Sequence, residues 1–309
     1  MAGKGAGQVN GGQAEGVLVA DKPSGLTSHD VVNQLRRVYR TRRVGHAGTL
    51  DPMATGVLVV LFGEATKLSS VLTTQTKEYV ATIELGVETD TLDQDGRAIA
   101  RKAVPNLSQE QVLCALEVER QRRLQMPPAI SAIRVDGQRA YERARRGEEP
   151  ALVPRDVHVE NLELLELTAT SISVRLVVSK GYYVRALARD LARELGTVGH
   201  LTRLRRLASG RFHLGMAVPL PLAAPLPLLS LAAAAALSLP TAEVSEETAR
   251  RAAWGQPLSA DELVGVAPDA SGPVALVRQG TLVALAALDQ ESSYFRVLRG
   301  FVAPDPGPV

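Results

Sequence analysis

One cysteine, one tryptophan and six lysines are all that 309 residues contain of those types. Cys114 on its own excludes an internal disulfide and a cysteine-built zinc site, and it fits a reducing, cytoplasmic setting. Aromatic side chains are scarce, with six tyrosines and four phenylalanines beside the tryptophan, so each tyrosine in a polar setting is a candidate for more than packing. A membrane-length apolar run is also missing. The longest stretch without Lys, Arg, Asp or Glu, Phe212 to Ala242, is broken by Pro219, Pro221, Pro225 and Pro227. Its helix-compatible remainder, Leu228 to Leu239, would cover only ~18 Å of a hydrocarbon core ~30 Å thick. Residues 1–14 have one lysine and no apolar core, which argues against a secretory signal and for a disordered tail.

What is present is an ordinary globular composition, 45% hydrophobic and 22% charged, in a chain long enough for about two domains. The net charge of +2 says little about partners, but its distribution says more. Arginine-rich runs at Arg36–Arg43, Arg120–Arg146 and Arg203–Arg211 contain few or no acids. Such clusters suit phosphate recognition and equally suit solvated helical faces.

Local pattern predicts a mixture of strands and helices. Val17–Ala20 is a short apolar strand, followed by a helix that Thr27 and Asp30 cap. Val57–Phe62 is a buried strand, Glu78–Leu85 an alternating one, and Ser108 opens a helix between Leu107 and Leu124. Ser171–Ser179 alternates as a strand, and Tyr182–Leu195 is a helix closed by Gly196, with Arg185, Arg189 and Arg193 on one face. Glu246–Trp254 reads as a helix, and from Gly272 onward short apolar runs suggest a small all-β module. Asp90, Asp93 and Asp95 before Gly96 fail as a calcium loop, because Lys102 stands where a bidentate Glu is needed; they more simply cap a turn.

The densest chemical motif is Gly45-His-Ala-Gly-Thr-Leu-Asp-Pro-Met-Ala-Thr-Gly56, a histidine and a carboxylate in a glycine-rich loop before an apolar strand. Composition alone fits a structural Asp-Pro turn there. The segment nevertheless resembles the catalytic-loop motif of the tRNA pseudouridine synthase B (TruB) family. Further matches follow in order: Asp21-Lys-Pro-Ser-Gly-Leu-Thr-Ser28, Lys77-Glu-Tyr-Val with Thr89-Asp-Thr-Leu-Asp-Gln-Asp-Gly96, Gly181-Tyr-Tyr-Val-Arg185 and Leu204-Arg-Arg-Leu-Ala208. Gln125-Met-Pro-Pro-Ala-Ile-Ser-Ala132 and Gly137–Gly147 resemble the family's RNA-contacting insertion, with Ile130 where Tyr is usual and Arg134 where Lys is usual.

That resemblance implies a mixed α/β catalytic domain over about residues 15–240, built on a largely antiparallel sheet, with an insertion at about 120–150. A PUA-like β-rich RNA-binding domain over 241–309 follows. It implies isomerisation of a tRNA T-loop uridine, conventionally position 55, to pseudouridine, with no metal and no cofactor. Asp51 is the matching catalytic carboxylate, which a nearby cation would keep charged, and Arg185 is the matching cation. Tyr79 matches the tyrosine expected to stack on uracil and assist removal of the C5 proton. Tyr183 and Leu204 match pocket residues, and His46 matches a histidine that fills the gap left by the extruded base. Lys22, Arg134, Arg143, Arg146, Arg205 and Arg206 are candidate RNA contacts. The implied partner is the T-arm stem-loop of tRNA, met by a monomer that needs no protein partner and no membrane. The competing readings are an RNA-binding or tRNA-folding protein without chemistry, and a pseudouridine synthase for another RNA.

Overall fold

The structure, a computed structural model, describes residues 14–130, 152–267, 270–289, 291–292 and 294–301, plus the backbone of two short strands within 134–139. The expected tail, apart from Ala14, lies outside the described residues, as does most of the expected insertion.

Strand β1 (Gly16–Lys22) runs into helix α1 (Ser28–Val38), and β2 (Val44–His46) and β3 (Thr55–Phe62) bracket the glycine-rich loop. Then come β4 (Lys77–Leu85) and α2 (Gln109–Arg120). The two-residue strand β5 (Leu124–Gln125) pairs antiparallel with β6 (Arg155–Asp156). Strands β7 (Val159–Leu167) and β8 (Ser171–Val178), helix α3 (Val184–Glu194), β9 (Gly199–Ser209) and β10 (Val218–Pro219) complete the first unit. Its large sheet has the order β7-β8-β4-β9-β3-β1-β10. Only the β9–β3 and β1–β10 junctions are parallel.

The helices start where side chains satisfy their first N–H groups. Thr27 and Asp30 form a reciprocal capping box on α1, and Ser108 and Gln111 form another on α2. On β4 the strict alternation turns Tyr79, Ala81, Ile83 and Leu85 inward, against a core to which α1, α2 and α3 contribute Leu35, Leu116 and Leu191. The continuous apolar run of β3 has a different cause, since both its faces are covered. Leu58 and Val60 face that first core, whereas Val57, Val59 and Leu61 pack with Ala234, Ala275 and Leu285 from the C-terminal part of the chain.

The proline-rich stretch is tied down on β1, where Val17 and Leu229 exchange both backbone hydrogen bonds. The helix that follows, α4 (Leu231–Ala236), has six residues, and among the described residues no helix is long and apolar enough to cross a membrane. Beyond it β11 (Thr241–Glu243), β12 (Pro273–Arg278), β13 (Thr281–Leu288) and β14 (Phe295–Gly300) form a second sheet in that order. Helix α5 (Glu246–Ala253) contributes Ala252 to this sheet's own core with Leu276 and Phe295. The fold is mixed α/β with a largely antiparallel main sheet, and the C-terminal β unit fits a PUA-like module.

The parallel β9–β3 junction depends on one glycine. Gly56 lies opposite Arg206 with φ +101°, and a Cβ there would meet the Arg206 carbonyl oxygen at 2.2 Å and its nitrogen at 2.8 Å. Gly56→Ala is expected to lower the unfolding free energy by more than about 3 kcal/mol, measured by urea titration. Gly181→Ala, at φ +83° but with open space around it, is expected to lose only about 1–2 kcal/mol. Equal losses at the two positions would contradict this account of the junction.

Candidate active site

The loop between β2 and β3 is clamped from two sides by side chains aimed at its backbone. From the β1–α1 turn, Lys22 Nζ donates to the carbonyls of Leu26 (2.6 Å), Pro23 (2.9 Å) and Pro52 (3.1 Å). The Ser28 hydroxyl accepts from Leu50 N–H (2.8 Å), and Gly25 N–H donates to Pro52 O (2.8 Å). From β9, Arg206 Nε donates to Val57 O (2.7 Å), Nη2 to Gly48 O (3.1 Å) and Nη1 to Thr49 O (3.3 Å).

Of the residues expected to contact RNA, Lys22 is 0% exposed and Arg206 is 1% exposed, with their donors turned onto protein carbonyls. Both brace the loop from within the protein. Each cation donates to several backbone oxygens at once, which is how an irregular loop is held at a fixed position. Arg205 faces the other side of β9 and pairs with Asp21 (2.8 Å), while keeping partial exposure. Arg134 lies on a short strand whose side chains are outside the described residues, and Arg143 and Arg146 lie outside them altogether.

So braced, the loop presents Asp51 to Arg185. Arg185 Nε donates to Asp51 Oδ2 (3.0 Å) and Nη2 to Asp51 Oδ1 (3.2 Å), a two-point grip that fixes the carboxylate's plane. The remaining nitrogen, Nη1, donates to Thr91 O (2.8 Å) and lies 3.6 Å from Asp93 Oδ2. All three guanidinium nitrogens therefore have protein partners. The Arg185 side chain is 7% exposed and that of Asp51 is 33% exposed, so the cation is sealed in and the carboxylate remains reachable. The arginine spacing on α3 does not make a solvated stripe. Arg189 bonds Asp190 and the Met126 carbonyl, and Arg193 reaches Glu88.

Asp51 opens onto a cavity of about 660 Å³ that Tyr79, Tyr183, Arg185 and Leu204 also line. Five of the six expected chemical and pocket residues thus share one wall system, although they come from the loop, β4, the start of α3 and β9. Tyr79 is placed by the β4 register, opposite Arg206 on β9 and Leu176 on β8. His46 is the exception: it sits on β2 opposite Val60, half-buried and off the cavity lining. Burial, with Arg206 and His29 nearby, pushes its pKa below the usual imidazole value, which favours the neutral ring. Its Nδ1 is buried without a hydrogen-bond partner among the described residues.

Sequence reading left out Asp93 and Lys77. Asp93, expected only to cap a turn, does so by accepting from Thr91 Oγ1 (2.5 Å) and Asp95 N (3.2 Å), and it also backs Arg185. Burial pushes its pKa up, against the pull of Thr91 and Arg185. Lys77 lines the cavity with Nζ donating to Gln75 O (2.5 Å) and Thr73 O (2.7 Å). Its motif was visible, but its inward register position was the clue to its role. Burial lowers the pKa of both Lys77 and Lys22 from an ordinary 10.5 to about 8, with Arg206 pushing both further in the same direction.

Residues 36–184 match the model of the TruB family pseudouridylate synthase N-terminal domain. A relative from Mycobacterium sp. (strain KMS), tRNA pseudouridine synthase B, is 43% identical over 279 residues, covering 87% of this chain and 94% of the relative. A protein of the same name from Corynebacterium aurimucosum is 44% identical over 276 residues, covering 86% and 93%. Among solved structures, a Cbf5-Nop10-Gar1 complex contains a chain that superposes with a TM-score of 0.72 at 23% identity, covering 94% of this chain and 86% of that one. A likeness at that identity speaks for the fold.

The two buried lysines carry a consequence for stability. Folded, they titrate near 8, and unfolded near 10.5, so between those values the unfolded chain holds more protons. The unfolding free energy is therefore expected to rise as pH goes from about 8 toward 10, while below 8 the cost of burying both charges is fully present. Urea titrations across that interval check this, with a shallower rise expected for Lys77→Met. A wild-type stability that falls over the same interval would contradict it.

Proposed function

The chain belongs to the TruB family of pseudouridylate synthases and isomerises uridine to pseudouridine in tRNA, and we propose that its target is the T-loop uridine conventionally numbered 55, with Asp51 as the reacting carboxylate. The observation that carries the proposal is the two-point Arg185–Asp51 pair at the wall of a cavity shared with Tyr79 and Leu204. A protein that only bound RNA would have no use for a sealed cation gripping an accessible carboxylate.

The chemistry needs little else. The N1–C1′ bond breaks, the uracil turns, C5 bonds to C1′, and the proton leaving C5 is balanced by one gained at N1. Asp51 can begin this by adding to C1′ or by removing the C2′ proton, and both routes use the same oxygen face. Arg185 sets the carboxylate's orientation, so no part of the barrier is spent on reorienting it during the reaction. Of the cavity-lining residues, Tyr79 is assigned to stack on the uracil and assist removal of the C5 proton, and Leu204 and Tyr183 to wall the pocket that takes a base out of its stack. Lys77, Arg206 and Lys180 on the same lining favour an anionic ligand.

We place the reaction in the cytoplasm, carried out by a monomer on the T-arm stem-loop without a protein partner. The C-terminal β unit, residues 241–309, is assigned as a second RNA-binding surface, and His46 as the ring that fills the space the base vacates. A planar side chain with a neutral ring suits that place, since it can stack on the bases beside the gap.

An unmodified T-arm stem-loop labelled with tritium at uridine C5 tests the assignment, because isomerisation releases that label to water. Asp51→Asn is expected to slow release by more than about 10³-fold while stem-loop affinity stays within about tenfold. Normal release by the variant would overturn the role of Asp51.

A further inference from the structure

Gln125 lies on β5, 58 residues before Tyr183, and is 1% exposed. Its side-chain amide makes two bonds to one backbone: Oε1 accepts from Tyr183 N–H (2.8 Å) and Nε2 donates to Tyr183 O (3.2 Å). Tyr183 is the residue from which α3 starts, and no side chain of its own caps the helix there. Its carbonyl also accepts from Ala186 and Leu187, so the first turn of the helix that carries Arg185 hangs from the backbone that Gln125 grips.

The junction around Gln125 is built from several elements. Arg155 is its partner across the β5–β6 pair, and Arg155 and Asp156 line the same cavity as Asp51. The next residue, Met126, gives its carbonyl to Arg189 Nη2 (3.0 Å), one turn beyond Arg185. Just upstream, Arg122 pairs with buried Glu119 on α2 and lies 4.0 Å from Asp190 on α3. The two ends of the chain segment 126–154, which carries Arg134, Arg139, Arg143, Arg145 and Arg146, are therefore fastened together and to the start of α3.

A buried amide with both polar ends committed is costly unless those bonds are needed, and an apolar residue would fill the same space. We propose that Gln125 is a positioning residue for the isomerisation: it fixes the Tyr183 backbone and, through it, the reach of Arg185 to Asp51. This rests on the assignment of Asp51 and Arg185 above.

The test compares wild type, Gln125→Leu, Gln125→Glu and Asp51→Asn on the C5-tritiated stem-loop, with single-turnover rates at saturating RNA and separate binding measurements. Gln125→Leu is expected to lose roughly 10²-fold in rate with Kd within about threefold of wild type, a split that mere loosening of the RNA surface would not give. Gln125→Glu carries its own readout. Ionised, its carboxylate faces Tyr183 O with no donor, whereas protonated it again offers one donor and one acceptor. Its rate relative to wild type is therefore expected to climb as pH is lowered from about 8 to about 5.5. A Gln125→Leu rate within about twofold of wild type, or a loss wholly in Kd, overturns the proposal. If Gln125→Leu does not fold, a pH-independent ratio for Gln125→Glu overturns it instead. An active Asp51→Asn would remove the assignment of the site itself, whereas an inactive Asp51→Asn beside a normal Gln125→Leu removes only the role of Gln125.

Discussion

Arg185 reaches across 134 residues of sequence to hold Asp51 by both oxygens, and the bracing of the loop between β2 and β3 serves that one contact. Surface pairs such as Arg278–Glu246, with the glutamate 84% exposed, are worth about 0–1 kcal/mol and constrain nothing. The Arg185 guanidinium is sealed, and without Asp51 it would keep only Thr91 O and Asp93 as partners. The contact is consequently both a structural tie between the loop and α3 and the device that aims a carboxylate into the cavity. Thr91 and Asp93 hold the third nitrogen, so every nitrogen of the cation has a protein partner.

The loop that carries Asp51 is too irregular to be held by sheet hydrogen bonds, and buried cations do that work. Lys22 on β1 and Arg206 on β9 approach it from opposite sides and donate to the carbonyls of Gly48, Thr49, Pro52 and Val57. Lys77, Arg185 and Arg206 concentrate positive charge on one cavity, and the lowered pKa values of Lys77 and Lys22 record burial first, with Arg206 adding to it. The same positive field attracts a polyanion, which offers a physical reason for a fold to keep it.

Local features could be read from the sequence because their causes are local. The Thr27 and Ser108 caps, the alternation of Glu78–Leu85 and the C-terminal strand runs involve neighbours within a few residues. Asp51 and Arg185 are joined only in three dimensions, and their connection came from matching motifs, since periodicity alone would have left Arg185 on a basic helical face. The bracing role of Lys22 and Arg206 was not legible for a related reason: sequence displays charge but not burial. Lys22 ends a strand flanked by β3 and β10, and Arg206 stands on a strand with neighbours on both sides. Asp93 was legible as a turn residue, and its second partner lies 92 positions away.

The proposed function requires the extruded uridine to sit in the Asp51 cavity with its ribose facing the carboxylate. A crystal structure of the Asp51→Asn protein bound to an unmodified T-arm stem-loop tests it most directly. The expected result is a single uridine swung out of the loop, its base against Tyr79 and Leu204 and its C1′ and C2′ beside position 51. A stem-loop bound with every base still stacked and that cavity empty would contradict the account.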